Sequence, residues 1–233
     1  MKVKHLKLYC ANLDEQRFFY TKKFKFPVLE DTPDSITLAV GDSRLTFEEN
    51  RIHKSYYHFA INIPFGAVEK ALRWAHKKVD ILQYDDEAIQ EFRAWNARAF
   101  YFLDPAGNVV ELIGRKRFND ESPNTFNESN LLNISEVGVP VFEVSSAFKI
   151  LKKATGIKKF DCVSNMFCAA GDHEGLFILV DSAEKSWFPT DDPARAFNLE
   201  VDFEVDGNDF NLTYLEGDLE IDDVKTTEKA ASD

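Results

Sequence analysis

Cysteine is scarce in this chain. The three residues, Cys10, Cys162 and Cys168, lie at no zinc-ligand spacing among 233 residues, so they read as reduced thiols of a cytoplasmic protein. Glycine (10) and proline (8) are too few for a collagen-like or low-complexity chain. No apolar run approaches the roughly 20 residues of a membrane span. The opening MKVKHLKLYC has no apolar core segment, so no signal peptide is expected. Basic charge is also short: 28 Lys+Arg against 40 Asp+Glu give a net charge of −12, which argues against a nucleic-acid partner. A Gly-rich phosphate loop, a Ser-His-Asp arrangement and a redox CxxC are all missing.

What the chain has is core material: 44 % hydrophobic residues and 21 Phe, enough for one large domain or two small ones. Its charge is uneven. Residues 1–115 hold 17 Lys+Arg and 16 Asp+Glu, whereas residues 116–233 hold 11 and 24. This asymmetry points to two units.

Periodicity orders those units. Leu6, Leu8 and Cys10 alternate with His5, Lys7 and Tyr9, a strand. A helix follows, with Asn12 and Glu15 spaced as a capping box and Phe18 and Phe19 on its apolar face. Three short strands (28–30, 35–40, 44–49), a strand over 56–63, a helix over 67–77, and strands at 99–103 and 108–113 complete the first unit. Residues 116–132, rich in Asn and Ser, read as a linker. Then the order recurs: a strand at 134–141, a helix at 145–153, and strands at 160–163, 166–170, 176–180 and 197–205. Only 35 residues follow Asn198, too few for a second helix and hairpin, though strands fit at 210–215 and 218–221. The expected architecture is α+β, divided into residues 1–115, the linker, an abbreviated module at 133–222 and a disordered tail at 223–233.

Face assignment selects candidate chemistry. If the leucines of the first strand face the helices, His5 faces away; the same parity turns His58 and Glu111 to that face. Two imidazoles and a carboxylate suit a divalent metal with open positions. His53, His76 and His173 fall in a loop, late on a helix and in a turn, and read as surface residues. Arg73 and Trp74 read as solvation and packing on a helix. Glu200, Asp202, Glu204 and Asp206 alternate with apolar residues, as do Asp218, Glu220 and Asp222. This strip reads as a solvated face, with a cleft for a cationic ligand as the sharper alternative. A turn at Ser164-Asn165 would set Cys162 opposite Phe167, leaving Cys162 and Cys168 unbonded and three thiols free.

FYFLDPAGNVVELIGR (100–115) resembles the closing hairpin of the vicinal oxygen chelate superfamily, which includes glyoxalase I, fosfomycin-resistance enzymes, extradiol dioxygenases and bleomycin-binding proteins. HLKLYCANLDEQRFFYTKKFKF (5–26) resembles its first strand and helix, and YYHFAINI (56–63) its fifth strand. The likeness is fainter over 133–205. It implies paired βαβββ modules whose curved sheets wrap a metal, Fe, Mn, Zn or Ni, held by His5, His58 and Glu111. The second module matches these positions with Glu136 and Asn198 and lacks the last Glu. Glu48 stands where glyoxalase I carries an additional ligand, and Glu48 or Tyr101 would move protons. No His precedes the hairpin as extradiol enzymes require; Phe92, Arg93 and Ala94 stand there. The resemblance implies an enzyme acting on a small substrate with neighbouring oxygens, through isomerisation, lyase or epoxide-opening chemistry, or oxygenation. The alternative is a metal-free drug- or metabolite-binding protein. Neither a nucleic acid nor a membrane is an expected partner, and the chain is expected as a monomer or homodimer.

Overall fold

The structure, a computed structural model, describes residues 1–224. Strand β1 (Lys2–Cys10) buries Leu6, Leu8 and Cys10. Helix α1 (Leu13–Phe18) continues as a π-helical turn through Lys23. Asn12 does not cap it with its side chain. Its amide donates instead to Glu15 Oε2 at 2.8 Å and to the Pro105 carbonyl at 2.9 Å. Phe19 enters the core while Phe18 remains exposed. The first half continues with β2 (Val28–Asp31), β3 (Ser35–Val40), β4 (Ser43–Glu49), β5 (His58–Ile63), α2 (Val68–His76), β6 (Ile81–Leu82), β7 (Gln90–Phe92), β8 (Ala97–Leu103) and β9 (Val109–Arg115). The second half has β10 (Asn133–Val141), α3 (Val144–Thr155), β11 (Lys159–Ser164), β12 (Phe167–Gly171), β13 (Leu176–Asp181), β14 (Leu199–Val205), β15 (Asn208–Leu215) and β16 (Asp218–Asp223). Among the described residues no helix is long and apolar enough to cross a membrane. The expected tail beyond Val224 lies outside the described residues.

The fold is α+β, two modules built on βαβββ units whose halves are exchanged. One sheet runs β16-β15-β14-β1-β4-β3-β2, the other β11-β12-β13-β10-β5-β9-β8-β6, with β7 on β8. Each sheet thus takes strands from both halves, joined by the antiparallel pairs β1–β14 and β10–β5. A single core contains one face of each sheet and the apolar sides of all three helices. Leu6, Leu45 and Phe203 meet Phe59, Val137 and Phe177 there, with the Phe177 and Phe203 rings at 5.0 Å. The nine-stranded sheet buries its opposite face too, around Ala60, Tyr101, Ile178 and Trp187. In the first half α2 lies between β5 and β9, which pair in parallel. In the second half no such helix intervenes, and β14, β15 and β16 form successive antiparallel hairpins. Their turns, Asp206-Gly207 and Glu216-Gly217, have positive φ at both residues, the geometry that matches strand twist in two-residue turns.

Residues 116–132 are less independent than a linker. Phe126 and Leu131 are buried, Phe126 against Trp74 at 5.3 Å. The turn after β8 is held by Asp104, which accepts from Gln16 Nε2, the Tyr20 hydroxyl and Asn108 Nδ2, each at 2.8 Å. This carboxylate fixes the hairpin on α1. Asp104→Ala would strand buried donors and should lower unfolding free energy by about 3 kcal/mol, readable from a urea transition.

The expectation for the cysteines is corrected. Ser164, not Val163, closes the β11–β12 turn opposite Phe167, and Asp161 lies opposite Ala169. An irregularity between Asp161 and Ser164 then brings Cys162 beside Cys168, and the two are disulfide-bonded; Cys10 is free and buried. Thiol titration of denatured protein should find one thiol before reduction and three after.

Candidate metal centre

Three strands deliver the site. β9 runs parallel to β5 with Glu111 beside Ala60, and β10 runs antiparallel on the other side with Glu136 opposite the same Ala60. His58, two residues earlier on β5, shares their face. An irregularity between Ile134 and Glu136 aims the last group. It lets Ile134 and Val137 both enter the core while Glu136 turns the other way, the usual work of a bulge.

His58 Nδ1 lies 3.1 Å from the Val109 carbonyl. That oxygen only accepts, so Nδ1 carries the hydrogen and Nε2 faces the carboxylates. Nε2 is 3.6 Å from Glu111 Oε2 and 3.7 Å from Glu136 Oε2, and a donor atom from each of the three residues lies within 4.8 Å of the others. Arg115 is fully buried beside them. It forms an ion pair with Glu136 Oε1 and donates to Asn62 Oδ1 at 2.7 Å and Ser135 Oγ at 3.2 Å. Glu136 therefore gives one oxygen to Arg115 and turns the other toward His58. Tyr101 sits opposite Glu111 on β8 and is also buried.

The protonation states follow from burial and charge. Burial, then the neighbouring charge of Glu136, pushes Glu111 up to about 8. Burial alone would raise Glu136 too, but Arg115 and His58 hold it below the ordinary carboxylate range. For His58 burial opposes the charged form, yet Glu136 and Glu111 outweigh it and its pKa rises. Burial and both carboxylates keep the Tyr101 hydroxyl protonated, its pKa well above the ordinary value.

The donor set fits a divalent cation. With His58 neutral and both glutamates ionised, three lone-pair acceptors face one another, a set that a positive charge between them would satisfy. Ligand bonds of 2.0–2.2 Å place neighbouring donors roughly 3.0–3.5 Å apart, slightly closer than the separations here. Ile178 and Val180 on β13 line the cavity over this cluster without offering a donor.

Of the residues selected from the sequence, His58, Glu111 and Tyr101 come together, while His5 and Glu48 do not. His5 lies in the seven-stranded sheet, with Nε2 2.7 Å from Thr46 Oγ1 and Nδ1 3.4 Å from Asp202 Oδ2. Glu48 is in the same sheet, 2.9 Å from Lys7 Nζ, which also lies 3.1 Å from Glu200. The exchange of halves explains this correction: the first strand beside β5 is β10, so Glu136 takes the place expected for His5. Arg115 was also overlooked, although it shares the parity of Glu111 on β9. His53 and His76 are exposed as expected, whereas His173 is half-buried and packs edge-on against Phe160 at 4.8 Å. The acidic strip is partly paired and partly solvated: Glu200 meets Lys7 and Tyr9, Asp202 meets His5 and Asn211, and Glu204 meets Lys4, whereas Asp206, Asp218, Glu220 and Asp222 are exposed.

Residues 2–112 match the profile of the Glyoxalase/Bleomycin resistance protein/Dioxygenase superfamily. This segment belongs to that superfamily. A likeness of fold to solved structures extends over most of the chain. A candidate dioxygenase from Bacillus subtilis subsp. subtilis str. 168 is similar over 77 % of this chain and 63 % of its own, with 13 % identity and a TM-score of 0.58. Glyoxalase I from Zea mays is similar over 76 % of this chain and 66 % of its own, with 19 % identity and a TM-score of 0.52. The chain thus spans less than two thirds of either structure, and at these identities the likeness is one of fold. No curated protein sequence matches the chain.

The metal-free cluster should respond to pH with a definite sign. Glu111 and His58 both bind protons more tightly folded than unfolded, so their contribution is present at low pH and lost as pH rises. For Glu111 the loss runs from about 4.5 to about 8; for His58 it begins above 6.5. With a chelator present, the urea midpoint should fall between pH 6 and 8.5. Glu111→Gln, permanently neutral beside Glu136, Arg115 and Tyr101, should flatten that fall. An unchanged slope would contradict this assignment of charge.

Proposed function

We propose that this protein is a metal-dependent enzyme acting on a small substrate with two adjacent oxygens, its divalent ion held by His58, Glu111 and Glu136. The observation that carries the reading is the convergence of three acceptor atoms from β5, β9 and β10 at the polar end of a cavity of about 390 Å³. The family of residues 2–112 supports it. When bound, the ion supplies Lewis acidity for a developing oxyanion. The chain's own groups do the rest. The Val109 carbonyl orients His58 through Nδ1, and Arg115 orients Glu136 through Oε1. Tyr101, buried and protonated beside Glu111, is the group that can donate to, or exchange a proton with, a substrate oxygen. Glu48 takes no part, because it lies in the other sheet beside Lys7.

A second reading, a metal-free binding protein, has one observation in its favour. Arg115 and a protonated His58 can balance the two glutamates without any ion. Metal analysis separates the two. Protein purified without chelator should carry about one equivalent of Mn, Fe, Zn or Ni per chain. His58→Ala and Glu136→Ala should each lose it, while His5→Ala should retain it. Absence of metal in the wild type, or its loss in His5→Ala alone, would overturn the metal reading.

A further inference from the structure

We infer that the ligand of this cavity is a flat, largely apolar molecule carrying its two adjacent oxygens at one end, and that Trp187 and Phe188 select it. This deepens the reading above and rests on the His58–Glu111–Glu136 cluster being the cavity's polar end.

The walls are the first observation. Beyond the cluster the cavity is lined by Phe92, Trp95 and Tyr101 from the first half and by Phe167, Trp187 and Phe188 from the second. The remaining charged lining residues are Arg93, Asp161 and Lys185, and Asp161 already accepts from Trp95 Nε1 at 2.7 Å. A ligand with hydroxyls along its whole length would lose their hydration against these rings and regain little. A planar apolar body gains burial and ring contacts.

The second observation is the loop that brings Trp187 and Phe188 into place. It spans residues 182–198 between β13 and β14, where the corresponding connection in the first half spans only 50–57. The added length folds on itself, with the Trp187 N–H donating to the Asp192 carbonyl at 2.9 Å and the Ala194 N–H to the Lys185 carbonyl at 2.8 Å. The first half holds it: the Tyr56 hydroxyl donates to the Pro193 carbonyl at 2.8 Å, and the Phe188 ring lies 4.9 Å from Tyr84 and 5.5 Å from Tyr101. Trp187 rests on Gly138, where a Cβ would come within 2.5 Å of the indole, and its ring centroid is 5.3 Å from that of His58. Phe188 remains 39 % exposed, at the mouth. The loop is therefore a fixed aromatic wall directly above the metal-ligating histidine.

The test is calorimetry under nitrogen with two vicinal-oxygen probes, 2,3-dihydroxynaphthalene and oxalate, on metal-free and Mn²⁺-loaded protein. The naphthalenediol should bind metal-free protein and oxalate should not. Phe188→Ala should weaken naphthalenediol binding about tenfold in both forms, the loss of roughly 55 Å² of apolar contact, and leave oxalate binding to loaded protein unchanged. Phe92→Ala, on a different element, should act in the same direction and covers the case in which the loop variant does not fold. Unchanged naphthalenediol affinity in these variants, or oxalate binding loaded protein as tightly as the diol, would overturn the inference. Failure of the metal reading looks different: Mn²⁺ would leave both affinities unaltered while the losses in Phe188→Ala and Phe92→Ala persist.

Discussion

The site depends on one backbone ladder, the antiparallel pairing of β10 with β5. It sets Glu136 opposite Ala60, two residues along β5 from His58. The hydrogen bonds of that ladder are indifferent to side chains. Register comes from the apolar faces they must bury and from the bulge at Ser135, which a one-residue slip would turn against the core. Around the ladder the polar groups are matched in sequence. Arg115 holds Glu136, Asn62 and Ser135 hold Arg115, and the Val109 carbonyl holds His58. A buried pair such as Arg115–Glu136 contributes little net stability by itself, but losing either partner leaves a bare charge in the interior. The arrangement therefore fixes geometry more than it adds stability.

The seven-stranded sheet repeats the topology of the site without its chemistry. β1 has the same irregularity before His5 that β10 has before Glu136. Yet where β10 has Gly138, two residues on, β1 has Lys7, and its ammonium lies between Glu48 and Glu200. The carboxylates on that face already have a cation, supplied by the chain. On the other sheet the glycine leaves room, and Trp187 and the cavity occupy it. A difference of one side chain at one register position separates a filled face from an open one.

Much of this was legible in the sequence, and the failures share a cause. Alternation located nearly every long strand and told which residues share a face, so His58 and Glu111 were placed together; Tyr101 was named only as a group that would move protons. Alternation does not tell which sheet a strand joins. His5 has the parity of a ligand and the wrong neighbours, because strand pairing between halves is a property of the whole fold. Glu136 was matched to His5 by position but not recognised as its replacement. Arg115 was seen as the end of a hairpin motif rather than as an inward charge on an apolar strand. The Cys162–Cys168 bond was missed because the turn falls one residue later and the strand before it is irregular between Asp161 and Ser164, which alternation does not reveal. Asn12 had the spacing of a cap, but Glu15 and the Pro105 carbonyl compete for its amide.

The exchange of halves has a consequence for how such a chain could arise. A single module cannot complete either sheet alone; it would have to borrow strands from a second copy, and every site would then sit between two identical chains. Joining the copies end to end removes that requirement of symmetry. Each cup can then change without altering the other, so one can keep an open acidic pocket while its twin fills with lysine. In that sense the segment at 116–132, short and partly packed into the core, is what permits the two faces to be different molecules' worth of chemistry in one polypeptide.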